Sequence, residues 1–244
     1  MRIYSYKDNQ IIENDNLIEA LAIKTEKVIT LVGAGGKTST IFRLGSELSS
    51  LNKKTIITTT THMGLDDDFI LVENFCDLKK VEDILNTKNL VKIGKKESDY
   101  KVKSLDCDLL KQAIKMANVV LIEGDGSKNL PLKAPKENEP VIIEETDLVI
   151  GLIGIDSLDK KIKDICHRSK LVSKLLKKNV DQNIEIEDLV KIATSKDALK
   201  KNVNCRYKVI INKVDDEKYL EKCKKIATLL QNFEIDVVFT SYIN

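Results

Sequence analysis

Lys37 and Thr38 close a glycine run in "VITLVGAGGKTST", residues 28–40. Gly33, Gly35 and Gly36, with Ala34 between them, let backbone N–H groups turn inward around a phosphate. Lys37 adds a point charge, Thr38 can place its hydroxyl on Mg2+, and Ser39 follows in the first helical turn. Such a loop binds a nucleotide phosphate and stabilises charge during its transfer. The common spacing G-x-x-x-x-G-K-[ST] asks for glycine at position 31, where Leu31 stands. Gly33–Ser39 is therefore either a shortened phosphate loop or a glycine turn that happens to contain a lysine.

Other candidates stand downstream. "VVLIEGDGS" sets Glu123 and Asp125 just past an apolar run. Acids there can hold Mg2+ or orient a nucleophile, with Glu123 the stronger metal candidate beside Thr38, and Lys37, Glu123 and Asp125 the catalytic set. The plain alternative is a turn built on "DG". "VIINKVDD" carries Asn212, Lys213 and Asp215 as N-K-x-D, an arrangement able to read a guanine edge. "TTTTHMG" offers Thr60, Thr61 and His62 as weaker contacts to phosphate or substrate. "GSKNLPLKAPKENEPVI" reads as a long ordered loop whose Lys128 and Lys133 could neutralise an anion. In "CHRSK", His167 and Arg168 stand at a helix start, where a surface cap competes with a substrate role.

These residues need elements to position them. Apolar runs at Val28–Val32, Thr55–Thr59, Phe69–Val72, Leu90–Ile93, Val119–Glu123, Leu148–Ile153, Tyr207–Ile211 and Val237–Thr240 read as strands. Helical stretches are expected at Asn16–Ala22, Lys37–Ser50, Leu78–Leu85, Asp106–Ala117, Ser169–Lys177, Ile186–Ala193 and Asp216–Asn232. The alternation implies a single α/β domain over residues 1–244, with 1–27 as an N-terminal extension packed on it. Its sheet is mostly parallel and open, with helices on both faces, as in P-loop NTPases. A parallel sheet gathers the loops that follow its strands along one carboxyl edge, and every unusual loop here follows an apolar strand.

Composition narrows the class. A formal charge of +2 gives no bulk field for nucleic acid or a membrane surface, and no apolar run approaches the ~20 residues of a membrane span. The N-terminus lacks a signal-peptide core. Cys76, Cys107, Cys166, Cys205 and Cys223 form no C-x-x-C pair and read as small core hydrophobes in a reduced, cytoplasmic protein.

In order along the chain stand "GAGGKT" (Gly33–Thr38), Thr58–Thr61, "EGDGS" (Glu123–Ser127), "PLKAP" (Pro131–Pro135), Glu139–Pro140, His167–Arg168 and "NKVD" (Asn212–Asp215). This set resembles the YqeC family, described as accessory proteins of selenium-dependent molybdenum hydroxylases. The loop by itself also resembles the "GTNGKT" of Mur-type ligases. The segment "SKDALKKNVNCRYK" departs from the family pattern in lacking a glycine-rich turn.

The family resemblance implies a maturation or cofactor-insertion role. Its ligands would be ATP or GTP with Mg2+, and its partner an apo-molybdenum hydroxylase or that enzyme's cofactor-maturation proteins. Three activities fit the residues: an NTP hydrolase serving maturation, a kinase-like or Mur-ligase-like phosphoryl-transfer enzyme, and a nucleotide-binding scaffold without catalysis.

Overall fold

The computed structural model describes residues 1–243, so position 244 of the expected domain lies outside the described residues. The chain begins with a hairpin, β1 (Arg2–Lys7) and β2 (Gln10–Glu13), and the short helix α1 (Leu17–Ala20). β3 (Val28–Gly33) runs into α2 (Lys37–Ser50) and β4 (Thr55–Thr59). Two three-residue strands follow, β5 (His62–Gly64) and β6 (Phe69–Leu71), then α3 (Leu78–Lys88), β7 (Leu90–Ser98) and β8 (Lys101–Lys103). The middle of the chain supplies α4 (Cys107–Met116), β9 (Val119–Glu123), β10 (Leu132–Lys133) and β11 (Leu148–Gly154). The last third holds α5 (Ile162–Ile165), β12 (Cys166–His167), α6 (Ser169–Leu176), α7 (Ile186–Thr194), β13 (Arg206–Asn212), α8 (Glu217–Gln231) and β14 (Asp236–Ser241).

Twelve strands form one sheet in the order β2-β1-β14-β13-β11-β3-β9-β4-β7-β8-β5, with β6 also paired to β7. The run from β14 to β7 is parallel, and β6 joins β7 in parallel. The expected mostly parallel α/β sheet is what forms. Its central strands are buried on both faces, which explains their continuous β-branched and aliphatic sequence.

Alternate residues of these strands feed two opposed layers. Val28, Ile56, Val120 and Ile122 pack with α3 and α4, while Val32, Val149, Val209 and Ile211 pack with α6, α7 and α8. Ile29, Leu31, Leu121 and Ile150 face the other way, against α1 and α2. α2 meets that layer through Ile41, Leu44, Gly45 and Leu48, an i, i+3, i+4, i+7 stripe.

The N-terminal stretch forms the expected helix, as α1, and also adds two antiparallel strands to the edge, with β1 paired to β14. Asp8 and Asn9 link them with φ of 51° and 61°, the two-residue turn whose left-handed positions suit Asp and Asn. The cysteine expectation holds for Cys166 and Cys223, which are buried, and fails for Cys76 and Cys107, which are exposed. Cys107 opens α4 and lies off the buried stripe of Leu109, Leu110, Ala113 and Ile114.

Strand order creates the site. β9 returns between β3 and β4, and the chain then crosses to the far side of β3 to form β11. This reversal leaves a crevice at the carboxyl end of β3, where open α/β sheets bind ligands.

Candidate functional site

Register lines the carboxyl edge up residue by residue. Leu31 and Thr59 both pair with Glu123, Gly33 pairs with Leu152, and Asn212 pairs with Gly154 on one side and Thr240 on the other. The glycine loop, the Glu123–Asp125 turn and the Asn212 loop therefore meet at one place.

The loop is shaped by contacts that leave no room for side chains. Gly35 and Gly36 have φ of 84° and 131°; a Cβ would collide with the Gly154 backbone at the first and with Asn212 Nδ2 at the second. The Ala34 N–H donates to Leu152 O (3.0 Å) and the Gly35 N–H to Leu130 O (3.1 Å). Asn212, 3% exposed, donates from Nδ2 to Gly35 O (2.7 Å) and accepts from Thr240 Oγ1 at Oδ1 (2.8 Å). Asn212 is thus a buttress of the loop.

α2 begins directly after this loop with no side-chain cap. Among the described residues the N–H groups of Gly36, Lys37, Thr38 and Ser39 have no hydrogen-bond partner in the chain. These are the orphan donors of a helix N-terminus, where the helix dipole adds positive potential. They face a cleft of about 190 Å3 lined by Gly35–Ser39, Ser127, Asn129 and Lys213. Lys213 sits at φ 66° with its ammonium on Asp156 Oδ2 (2.8 Å). The Asp215 carboxylate accepts from Ser241 Oγ (2.6 Å), and its carbonyl accepts from Arg2.

On the other side of the loop stands Glu123, 6% exposed, whose Oε2 accepts from Thr38 Oγ1 at 3.1 Å. Burial raises its pKa, opposed by the Lys37 charge and the Thr38 hydrogen bond. Among the described residues no cluster of three His, Cys, Asp or Glu side chains could hold a metal alone. Mg2+ is held by few protein oxygens when phosphates complete its shell, so Thr38 and Glu123 suit it as donors.

Asp125 is 2% exposed and fully engaged: both oxygens accept from the Gly33 N–H (3.0 Å each), Oδ1 lies 3.2 Å from Lys37 Nζ and Oδ2 2.9 Å from Lys133 Nζ. Lys133, 1% exposed, also donates to Gly126 O (2.7 Å) and Glu139 Oε2 (3.0 Å). Arg168 grips Glu139 with two parallel hydrogen bonds, 2.6 and 2.8 Å, and donates a third to Ala134 O. The result is a continuous chain of alternating charge, Lys37, Asp125, Lys133, Glu139, Arg168, buried through Lys133 and half-buried at Glu139 and Arg168. Burial pushes the Glu139 carboxyl up, but the Arg168 hydrogen bonds and the Lys133 charge outweigh it and hold the pKa at about 2.

The pairing of β10 with β12, Lys133 opposite His167, builds this cluster across the ordered loop. Arg168 occupies the N-cap position of α6 but at φ 62°, and no side-chain cap forms. The expected surface cap is thus a half-buried ion-pair partner of Glu139. His167 is half-buried, and burial with the charges of Arg168, Lys133 and Lys128 lowers its pKa to about 4. Lys128 is exposed in the turn beside the cleft.

The threonine loop stands apart from the cleft lining. Thr60 Oγ1 donates to Val141 O (2.7 Å), the Thr61 N–H donates to Thr59 Oγ1 (3.0 Å), and His62 Nδ1 pairs with Glu97 (2.9 Å) on the exposed β5–β8 side. Ser127 in the cleft wall and Glu139 in the ion chain belong to the sequence motifs but carry no role there; Asn129 in the cleft wall and Asp156, paired with Lys213, are site residues that no motif singles out. Asp156 follows the apolar strand β11, so the rule that found the other loops also reaches it.

These features define the class: an α/β protein with a glycine-loop crevice at the carboxyl edge of a parallel sheet, backed by a largely buried ion chain. The family model described as "YqeC protein" matches residues 29–170, more than half the chain, and the chain belongs to the YqeC family. The matched stretch runs from β3 to just past Arg168, so it spans the loop, Glu123 and the whole ion chain. The chain is also similar to "Uncharacterized protein YqeC" of Escherichia coli (strain K12), 28% identical over 231 residues that cover 91% of this chain and 90% of that protein.

Proposed function

We propose that the protein binds a nucleoside triphosphate, ATP or GTP, with Mg2+ at the glycine loop in a P-loop NTPase-like manner and hydrolyses it. The row of unpartnered N–H groups at Gly36–Ser39, beside Lys37, carries this reading. These donors and the α2 dipole would cradle phosphate oxygens, and Lys37 would supply the point charge. Thr38 and Glu123 would hold Mg2+, which when bound neutralises charge building on the phosphates. Asp125 keeps the loop in shape through Gly33, and Asn212 supports it from the opposite side. Lys213 and Asp215, following Asn212 past β13, are where guanine would be distinguished from adenine. The setting of this hydrolysis, maturation or cofactor insertion of selenium-dependent molybdenum hydroxylases, rests on the family resemblance.

Release of inorganic phosphate tests the reaction. Slow turnover of MgATP or MgGTP is expected, stimulated by the apo-hydroxylase, and Glu123→Gln should lower it by about 10²-fold or more. A wild type that binds nucleotide without releasing phosphate would leave the scaffold reading. Phosphate transfer to a small acceptor with no protein partner would favour the kinase-like or ligase-like one.

A further inference from the structure

We propose that Lys133 is a positioning residue for nucleotide binding: it supplies the standing counter-charge of Asp125 and so lets Lys37 leave that carboxylate for a phosphate. This rests on the nucleotide reading above. Lys37 is folded back on its own loop, its ammonium 2.6 Å from Gly33 O and 3.2 Å from Asp125 Oδ1. To serve a phosphate it must give up one or both contacts. Asp125 is too buried to be hydrated in exchange, and a lone buried carboxylate is strongly disfavoured.

The two lysines that share Asp125 are not equivalent. An ammonium has three donors. Lys133 has three contacts of 3.0 Å or less, hydrogen bonds to Gly126 O and Glu139 and an ion pair with Asp125, and Glu139 is itself locked by Arg168. Lys37 has two contacts, the longer of them to Asp125, and it alone lines the cleft. Lys37 is therefore the mobile partner and Lys133 the fixed one.

Without Lys133, Asp125 would depend on Lys37 alone and hold it back from the ligand. Removing the Asp125 charge as well should release it. The test is equilibrium titration of the wild-type chain, Lys133→Met, Lys133→Arg, Asp125→Asn and the Asp125→Asn/Lys133→Met pair with MgATP, MgGTP and inorganic tripolyphosphate. Lys133→Met should bind about tenfold or more weakly, Lys133→Arg closer to wild type, and the double variant within about threefold of wild type. A purely structural Lys133 would lower the melting temperature without this reciprocal rescue.

Equal affinity of Lys133→Met and wild type, or a double variant as weak as Lys133→Met, would overturn the inference while leaving the nucleotide reading intact. A wild type that binds none of the three ligands would overturn both. Should Lys133→Met not fold, Lys133→Arg and the double variant decide: near-wild-type binding by both supports the inference, and a loss of about tenfold in the double variant overturns it.

Discussion

Lys37→Ala is expected to fold and to lose nucleotide affinity by about 10²-fold, the range for a hydrogen bond to a charged group. It should fold because Asp125, its partner, keeps Lys133 at 2.9 Å and the Gly33 N–H, so no buried carboxylate is stranded. The loss is read from melting temperature with and without Mg-nucleotide. At a hundredfold excess over the wild-type Kd, binding stabilises the native state by about 2.7 kcal/mol; a site weakened 10²-fold yields about 0.4 kcal/mol at the same concentration. A variant with the wild-type ligand shift would remove Lys37 from the phosphate site. Instability without ligand would instead mean that its bond to Gly33 O is the main role.

The second large effect lies in the ion chain. Glu139→Gln should destabilise the fold by about 3 kcal/mol, the low end of the range for breaking a buried pair, because Glu139 and Arg168 keep 14% and 16% of their side chains exposed. Two cations, Lys133 and Arg168, lose their shared carboxylate at once. The same substitution should flatten the acid limb of stability. Glu139 is held at about 2 in the fold, below the ordinary 4.5, so its ionised form contributes stability above about pH 4.5. That contribution disappears as pH falls from 4.5 through about 2. Urea unfolding at pH 7, 5 and 3 should show wild type losing stability over this window more steeply than Glu139→Gln. Parallel curves, or a cost at pH 7 of well under about 1 kcal/mol, would mean that the Arg168 pairing is screened like a surface salt bridge.

The residues that sequence could place are those whose environment is local. β9 is continuous apolar sequence ending in an acid, and it forms at Val119–Glu123 as read. α2 starts at Lys37 and ends at Ser50 because a glycine loop precedes it and its apolar stripe stops at Leu48. The carboxyl-edge gathering of loops follows from parallel strands alone. The terminal hairpin carried a readable signal in "KDNQ", where two residues that tolerate positive φ join the strands. It is obscured because these strands fully bury one side chain, Ile3, and their other residues are half-buried or exposed.

The ion chain was not legible, because it depends on distant pairings. Lys133 meets Arg168 only through Glu139, and the β10–β12 pairing that brings them together involves two residues on each side. Composition cannot show whether a lysine in a proline-rich loop is solvated or, like Lys133, buried to 1%. The role of Asn212 was equally hidden. As part of N-K-x-D it reads as a base contact, while in the fold its amide is already used by Gly35 O and Thr240. Base selection would then fall to Lys213 and Asp215.

The most direct measurement is calorimetric titration of the wild-type chain with MgATP and with MgGTP at physiological ionic strength. Saturable binding of one nucleotide per chain is expected, preferring one base, dependent on Mg2+ and matched in part by inorganic tripolyphosphate acting on the loop alone. A folded protein that shows no saturable binding of either nucleotide would contradict the phosphate role of the Gly36–Ser39 donors and of Lys37.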